Sequence, residues 1–233
     1  IMMHSDDEGL ILPPHVSPNL VAIVPIWKND AEKQQVREFV DKVLVALVGQ
    51  DELAAAAKRT TGEISQYFFD KTTGQKIVVD WRDSRPGDKQ YHWEQRGVPL
   101  RFEVGPRDVQ GGAVMVKHRL DRSKATAALA ELSPQWLRSK IDAQHAAMLE
   151  RARQYRDANT RTATSYDELK KIIANDGGFV RCFFKPDKAT EAKIKDETKA
   201  TVRCIPFDGQ GGVGKDIVTG EETDTQVLFA VAY

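Results

Sequence analysis

The segment RGVPLRFEVGPRDVQGG, residues 96–112, places charged side chains at the end of an apolar strand. It holds three arginines and two carboxylates, and Glu94 precedes it by two residues. The Watson–Crick edge of guanine carries two donors, N1–H and N2–H₂, which a carboxylate can accept together. Arginine can stack on a base, bind the guanine O6 and N7 atoms, or clamp a phosphate. These residue types suit the reading of a nucleic-acid base.

The charge of the surrounding segment is basic, although the whole chain is neutral. The 233 residues include 34 Lys plus Arg and 34 Asp plus Glu, whereas residues 81–124 include ten basic and six acidic residues. Any nucleic-acid site must therefore be a local patch. Because phosphate repels carboxylates, acids within such a patch favour base reading. On charge alone, a solvated sheet edge with internal ion pairs stays an open alternative.

Hydrophobic patterns predict the elements that would position these side chains. Residues 30–48 predict a helix that Asp30 caps and Gly49 ends, and Pro86 opens a second helix over 86–96. Arg101 and Glu103 alternate along a strand and so project from the same face. The predicted strands are LVAIVPIW (20–27), KIVVDW (76–81), VPLRFEV (98–104) and AVMVKHRL (113–120), the last two joined by a Gly-Gly turn at Gly111 and Gly112.

The second half of the chain predicts a separate small domain. Ser133 caps a long helix over 134–157, and the polar linker NTRTATS (159–165) follows. Ser165 and Glu168 have capping-box spacing and open another helix. The tail alternates the strands GFVRCFF, ATVRCIPF and QVLFAVAY with a charged helix at 188–198. We place the domain boundary in the linker.

The overall composition is that of a globular protein with a substantial core, since 41% of residues are hydrophobic and 29% are charged. The two cysteines, Cys182 and Cys204, give no disulfide framework and favour a reducing compartment. No apolar run approaches the ~18–20 residues of a membrane span, so no membrane partner is expected. The opening IMMHSDDEGLILPP, which begins with Ile1, has strand character and predicts that the chain is the C-terminal part of a longer protein.

The segment from Trp81 to Arg119 resembles the anticodon-binding domain of class II aminoacyl-tRNA synthetases, and within that group the prolyl-tRNA synthetases of the archaeal and eukaryote-like type. The matching motifs are PG at 86–87, WE at 93–94, GVP at 97–99, Arg101, Glu103 and GPRD at 105–108. HSDDEGLILPP resembles the end of the family's catalytic domain after motif 3. IKDETKATVRCIPF and LFAVAY resemble its C-terminal domain.

This resemblance implies an α/β fold, in which a mixed five-stranded sheet with flanking helices precedes a small α+β C-terminal domain. It divides the chain into a remnant of the catalytic domain (1–18), the anticodon-binding domain (19–125), a connecting long helix and linker (126–164), and a C-terminal domain of prolyl-tRNA synthetase type (165–233). The implied function is anticodon recognition within a cytoplasmic, ATP-dependent proline–tRNA ligase. The implied partners are tRNA(Pro) and the protein's own catalytic domain, in a homodimeric parent enzyme. ATP and Mg²⁺ would serve the parent upstream of the match, so the chain alone is expected not to aminoacylate.

The resemblance also implies roles for individual residues. Glu94 and Arg101 match positions that contact the two consecutive anticodon guanines. Arg107 and Asp108 are further candidates, with a local ion pair that orders their loop as the alternative. Glu103 would orient Arg101, and Trp93 would pack in the core. Lys117, Arg119 and Lys124 would contact phosphates or simply be solvated. For Tyr233, either the chain-end carboxylate contacts the catalytic domain or the residue is an ordinary strand end.

Many family members carry a four-cysteine zinc site in the C-terminal domain. The family pattern places Lys185, Thr190, Asp216 and Thr219 at its ligand positions here, so we expect no zinc. The rival functions are a stand-alone RNA-binding accessory module, the anticodon domain of another class II synthetase, and a structural fragment. The WE–GVP–R combination and the tail favour the prolyl family.

Overall fold

The computed structural model describes residues 3–60, 62–207 and 212–232. The chain forms two compact units, Ile1–Glu150 and Arg151–Tyr233, which divide inside a long helix. The four-segment division inferred from the sequence stays a prediction. Within the described residues, no helix combines the length and apolar character needed to cross a bilayer.

The first unit is built on a six-stranded mixed sheet. Its strands are β1 Asn19–Pro25, β2 Ile64–Asp70, β3 Gln75–Asp80, β4 Leu100–Val104, β5 Ala113–His118 and β6 Lys124–Ala128. They lie in the order β2-β3-β1-β4-β5-β6. The central strand β1 is parallel to β3 and β4, and the outer pairs are antiparallel.

The α/β class is confirmed, but the sheet has six strands where five were expected. The patterns missed the two edge strands for different reasons: β6 has mostly exposed residues, whereas β2 mixes buried and partly buried residues without a clear alternation. The Gly-Gly turn expected between β4 and β5 was also wrong. A short helix, α4 Pro106–Gly111, joins these strands, and Gly112 ends it in the left-handed conformation at φ 62°.

Helices cover both faces of this sheet. The helices α1 Asp30–Val48, α2 Gln50–Arg59 and α5 Pro134–Ala158 contribute to the large core on one face. The helix α3 Pro86–Gln95 packs on the other face, where Trp93 and Val98 join Ala22, Val24 and Val78. The predicted stripe of α1 is buried as expected, but its N-terminal cap is Asn29 rather than Asp30, since the Asn29 side chain accepts from the Glu32 amide.

The second unit contains a four-stranded sheet in the order β7-β8-β12-β9. Its core residues include Val180, Phe184, Ile194, Val227 and Phe229. The linker expected at 159–165 contributes its edge strand β7 by pairing with β8. The elements are β7 Thr160–Thr162, α6 Tyr166–Asn175, β8 Phe179–Phe183, α7 Lys188–Thr198, β9 Ala200–Cys204, the hairpin β10 Gly214–Lys215 and β11 Glu222–Thr223, and β12 Gln226–Val231.

Candidate nucleic-acid interface

Strands β4, β5 and β6 carry polar side chains on the sheet face that α3 covers only in part. Leu100, Phe102 and Val104 of β4 belong to the core on the other face. Because successive side chains of a strand alternate between faces, Arg101 and Glu103 lie on the same face as α3. This face therefore brings residues of β4 next to Glu94, which lies on α3.

Three cationic residues form a row across this face. The strand register pairs Arg101 with Lys117, and Lys117 with Lys124. Directly opposite residues of antiparallel strands project from the same face. The row starts at buried Arg101, whose charge is paired with Glu94 and Glu103, and ends at exposed Lys124, so among the described residues its unpaired positive charge lies toward the sheet edge.

Arg101 connects the two carboxylates that the sequence singled out. Its Nη1 donates to Oε1 of Glu94 at 2.6 Å, while its Nε and Nη2 donate to Oε1 of Glu103 at 3.1 and 2.9 Å. The Arg101 side chain is only 6% exposed. Arg101 is thus held in place mainly by its carboxylate partners, and it fixes the orientation of Glu94.

Glu94 remains a charged acceptor at neutral pH. Partial burial acts to raise its pKa, but the hydrogen bond from Arg101 and the positive charges of Arg101, Lys117 and Arg119 outweigh this effect and hold the pKa below its ordinary value. Lys117 Nζ lies 3.6 Å from Glu94 Oε1, the oxygen that Arg101 already binds. Both contacts use Oε1, and no described residue forms a hydrogen bond or ion pair with Oε2, so this oxygen can accept from a ligand.

Glu94 and Arg101 line a cavity of about 220 Å³. A water molecule occupies about 30 Å³ of liquid, so this space can admit a group much larger than a single water. Trp93 and Val98 form an apolar part of its wall. Its charged lining consists of Glu8, Glu94, Arg101, Lys117, Arg119 and Arg122.

The opposite part of the lining comes from a segment far away in sequence. Arg119 binds Asp6 through both Nη atoms and donates to the Gly9 carbonyl oxygen at 3.1 Å. Arg122 binds Asp6 and Glu8. Arg119 is therefore a buried anchor of the segment 6–9 and not a solvated residue, while its contact with phosphate stays a prediction.

Close backbone contact holds this segment against the end of α3. Gly97 has φ +66°, and a Cβ there would lie 2.8 Å from Leu10 Cβ and 3.0 Å from the Leu10 backbone. A Cβ at Gly9 would meet Gln95 Cα at 2.7 Å. Both positions need glycine for packing as well as for conformation. Sequence reasoning missed Asp6, Glu8 and Arg122, because their partners are more than 100 residues away.

Arg107 and Asp108 lie on α4, beyond the end of β4. Arg107 is exposed. Asp108 Oδ2 accepts from the Gly105 amide at 2.8 Å, which caps the helix. Among the described residues, neither of the two lines the cavity of Glu94. Tyr233 lies outside the described residues, so its contact with a catalytic domain stays a prediction.

A network of buried charges fixes α3. Lys89 is 2% exposed, and its Nζ donates to the carbonyl oxygens of Asp80 at 3.2 Å and Pro25 at 3.4 Å. Burial lowers its pKa, although the charge of Asp80 acts in the opposite direction. Trp93 is buried as expected, and its Nε1 donates to Asp80 Oδ2 at 2.9 Å. These contacts tie α3, and so Glu94, to the ends of β1 and β3.

In the second unit, Asp216, which the resemblance places near a zinc-ligand position, instead binds main-chain amides. Its Oδ2 accepts from Lys185 N, and its Oδ1 accepts from Val218 N and Thr219 N, each at 2.8 Å. Cys182 is buried, whereas Cys204 is exposed and so is not the buried apolar residue expected. Within residues 3–60, 62–207 and 212–232, no cluster of His, Cys, Asp or Glu has metal-binding geometry. The expectation of no zinc stays a prediction.

Comparison with known proteins matches both units. The family model of the anticodon binding domain matches residues 21–140, and that of the prolyl-tRNA synthetase C-terminal domain matches residues 166–233. A proline–tRNA ligase of Chloroflexus aurantiacus is 39% identical over 236 residues, covering 100% of this chain and 44% of that protein. The chloroplastic/mitochondrial enzyme of Arabidopsis thaliana is 35% identical over 239 residues, covering 100% and 40%.

Solved structures agree with the sequence relatives. Prolyl-tRNA synthetase of Cryptosporidium parvum, in a complex with L-proline and AMP, superposes with a TM-score of 0.78 at 27% identity and covers 100% of this chain and 45% of that one. The Giardia lamblia enzyme with prolyl-adenylate gives 0.78 at 25% identity, covering 99% and 46%. This chain spans less than half the length of these proteins. It belongs to the prolyl-tRNA synthetase family and contains an anticodon-binding domain followed by the C-terminal domain of that family.

Proposed function

We propose that this chain reads the anticodon of proline tRNAs as part of a proline–tRNA ligase. The observation that carries the proposal is the ionised Glu94, held by Arg101 beside a cavity on a basic, partly open sheet face. Proline codons begin with two cytosines, so their anticodons contain two adjacent guanines. A fixed carboxylate matches the donor edge of an unstacked guanine.

In this proposal Glu94 makes the direct base contact. Its carboxylate accepts N1–H and N2–H₂ of one guanine on the side that Arg101 leaves available. The sequence predicted that Arg101 also contacts a guanine. We propose instead that it positions Glu94, because its guanidinium is buried and bound to Glu94 and Glu103. Lys117 and Lys124 lie on the same face and attract the RNA backbone. Arg107 and Asp108 remain candidates for contact with a neighbouring nucleotide.

For the whole protein we propose ATP-dependent attachment of proline to tRNA(Pro) in a cytoplasmic homodimer. The relatives of which this chain covers 44% are named proline–tRNA ligases. ATP and Mg²⁺ would supply the activation chemistry in the catalytic domain of the parent, and we assign none of its steps to this chain. The chain would pack with that catalytic domain, and we expect it not to aminoacylate alone.

Binding to two transcripts tests the anticodon proposal. The chain is titrated with proline tRNA and with the same transcript carrying adenine at both anticodon guanines. Each lost base contact should cost about 1–3 kcal/mol, by analogy with mismatched sites. Glu94→Gln should weaken binding of the wild-type transcript and narrow the difference between the two.

The matched control is Glu38→Gln, an exposed carboxylate on α1 at the other face of the sheet. This variant should leave both affinities unchanged. Equal affinity of the unmodified chain for both transcripts would contradict anticodon reading. If Glu94→Gln lowers the affinity for both transcripts equally, only the base-reading role of Glu94 is contradicted.

A further inference from the structure

Three arginines line the cavity of Glu94, and they differ in what their guanidinium groups can still bind. Arg101 and Arg119 have side chains only 6% and 5% exposed and are bound to carboxylates. Arg122 has a side chain 54% exposed. Of these three, Arg122 is the arginine that can turn N–H groups toward a ligand in the cavity.

Arg122 is also held in position before any ligand binds. Its Nη1 lies 2.8 Å from Glu8 Oε1, and its Nη2 lies 3.2 Å from Asp6 Oδ2. Asp6 is itself fixed by Arg119. A guanidinium has five N–H donors, so these two ion pairs leave further donors for a ligand.

The backbone of Arg122 gives an independent indication. Its φ is +60°, in the left-handed region that glycine or asparagine usually occupies. The residue lies in the turn between β5 and β6, where the Asp121 side chain accepts from the Ser123 amide at 3.0 Å. An arginine here strains the backbone, and strained non-glycine residues cluster at functional sites.

We propose that Arg122 donates to O6 and N7 of the guanine whose Watson–Crick donors Glu94 accepts. This inference rests on the proposed function. Arginine binding to O6 and N7 is the commonest base-specific contact of proteins with guanine. Adenine carries an amino donor where guanine carries O6, so Arg122 would face a donor instead of an acceptor. The cavity would then distinguish guanine from adenine on two edges of the base.

Single-atom changes in the RNA test this assignment. Anticodon stem-loops carry 7-deazaguanosine, which lacks the N7 acceptor, or inosine, which lacks the N2 amino group, at each anticodon guanine in turn. At one of the two positions, the 7-deaza change should weaken wild-type binding about fivefold to tenfold, on the scale of a lost base contact. It should have no further effect in Arg122→Gln. Inosine at the same position should still weaken RNA binding by Arg122→Gln. It should not further weaken RNA binding by Glu94→Gln.

The matched control is Arg138→Gln on α5. Arg138 is also 54% exposed and ion-paired with a carboxylate, Asp70, but does not line the cavity. This variant should keep full sensitivity to 7-deazaguanosine. Arg122→Lys keeps the charge next to Asp6 and Glu8 without the guanidinium fork. Because lysine can also donate to O6 and N7, this variant should keep part of the N7 dependence that Arg122→Gln loses.

Three outcomes would overturn this inference, and they can be told apart from failure of the proposed function. Equal sensitivity of wild type and Arg122→Gln to 7-deazaguanosine removes the N7 contact. If Arg122→Gln binds all RNAs more weakly by the same factor, and the salt dependence of binding falls by about one phosphate contact, Arg122 binds the RNA backbone and not a base. Full affinity of the wild-type chain for 7-deazaguanosine RNA at both anticodon positions also removes the contact, whether or not the variants fold. If inosine and guanosine bind wild type equally at both positions, the reading by Glu94 fails as well.

Discussion

Asp80 is a carboxylate buried without solvent contact, and it is stable there because every side of it has a donor. Arg82 donates to both of its oxygens at 2.8 and 2.6 Å, and Trp93 Nε1 donates at 2.9 Å. Burial acts to raise the pKa of Asp80, but these hydrogen bonds outweigh it and the pKa is lowered. Removal of one partner from such a group leaves the others buried and unpaired.

Asp80→Ala should therefore destabilise the chain by about 3–5 kcal/mol at pH 7, measured by urea unfolding. Because the folded pKa is below the unfolded one, the stability from this carboxylate is present above the unfolded pKa. It is lost as pH falls through the folded pKa. The difference between wild type and variant should shrink below about pH 4. Asp83→Ala, an exposed neighbour, should have little effect at either pH, and an equal loss in both variants would contradict the role of burial.

Glu94 and Arg101 are the cavity residues whose mutual contact the sequence allowed us to predict, because they lie close together along the chain. The contact of Glu94 with Arg101 and the side shared by Arg101 and Glu103 follow from a helix, a short loop and strand alternation. The other wall depends on Asp6 binding Arg119, 113 residues later. The acidic run at 6–8 and the basic residues at 117–124 suggest a pairing by charge, but no local pattern identifies which acid meets which base.

At the scale of elements, the sequence predicted best those helices and strands that bury a regular apolar stripe. The stripe of α1 has six buried apolar residues at helical spacing, and its bounds were predicted correctly. Strand β6, KATAA, has small and mostly exposed residues, and it is a strand because it pairs with β5. The six residues of α4 are too few for a periodic signal, so they read as a turn.

The contact of the α3 end with the segment 9–10 makes a specific prediction for Gly97. Gly97→Ala should cost about 1–2 kcal/mol for the left-handed conformation and about 1–3 kcal/mol more for the clash with Leu10. Gly74→Ala is the matched control, because Gly74 has φ +75° but no neighbour within 4 Å of a Cβ. Thermal unfolding of both variants gives the difference, and equal losses would show that the close contact carries no energy.

The same substitution should affect RNA binding. A shift of the segment around Leu10 would move Glu8 and the ion pairs that hold Arg122. We therefore expect weaker discrimination between guanine and adenine transcripts in Gly97→Ala and unchanged discrimination in Gly74→Ala.

At the scale of the whole molecule, the chain has two compact units with separate cores. We expect two unfolding transitions in calorimetry. Asp216→Ala removes the acceptor of three part-buried amide hydrogen bonds in the second unit, each contributing about 0.5–1.5 kcal/mol. It should lower the transition temperature of the second unit and leave that of the first unit unchanged. Asp80→Ala should have the opposite pattern. Asp224→Ala, an exposed control, should lower neither, and a single transition shifted by both core variants would contradict independent unfolding.

The saturation of Arg101 by two acids limits how strongly this cavity can exclude a wrong nucleotide. When adenine enters, Arg101 keeps Glu94 and Glu103, so no buried cation is left bare. Sites whose own buried groups are stranded by a wrong ligand reject it by roughly 10⁴–10⁵. Here the missing bonds fall on one Glu94 carboxylate oxygen, on the half-exposed guanidinium of Arg122 and on the incoming base. The selection of the correct tRNA must then result from moderate discrimination at several nucleotides, and not from strong rejection of a wrong base at one position.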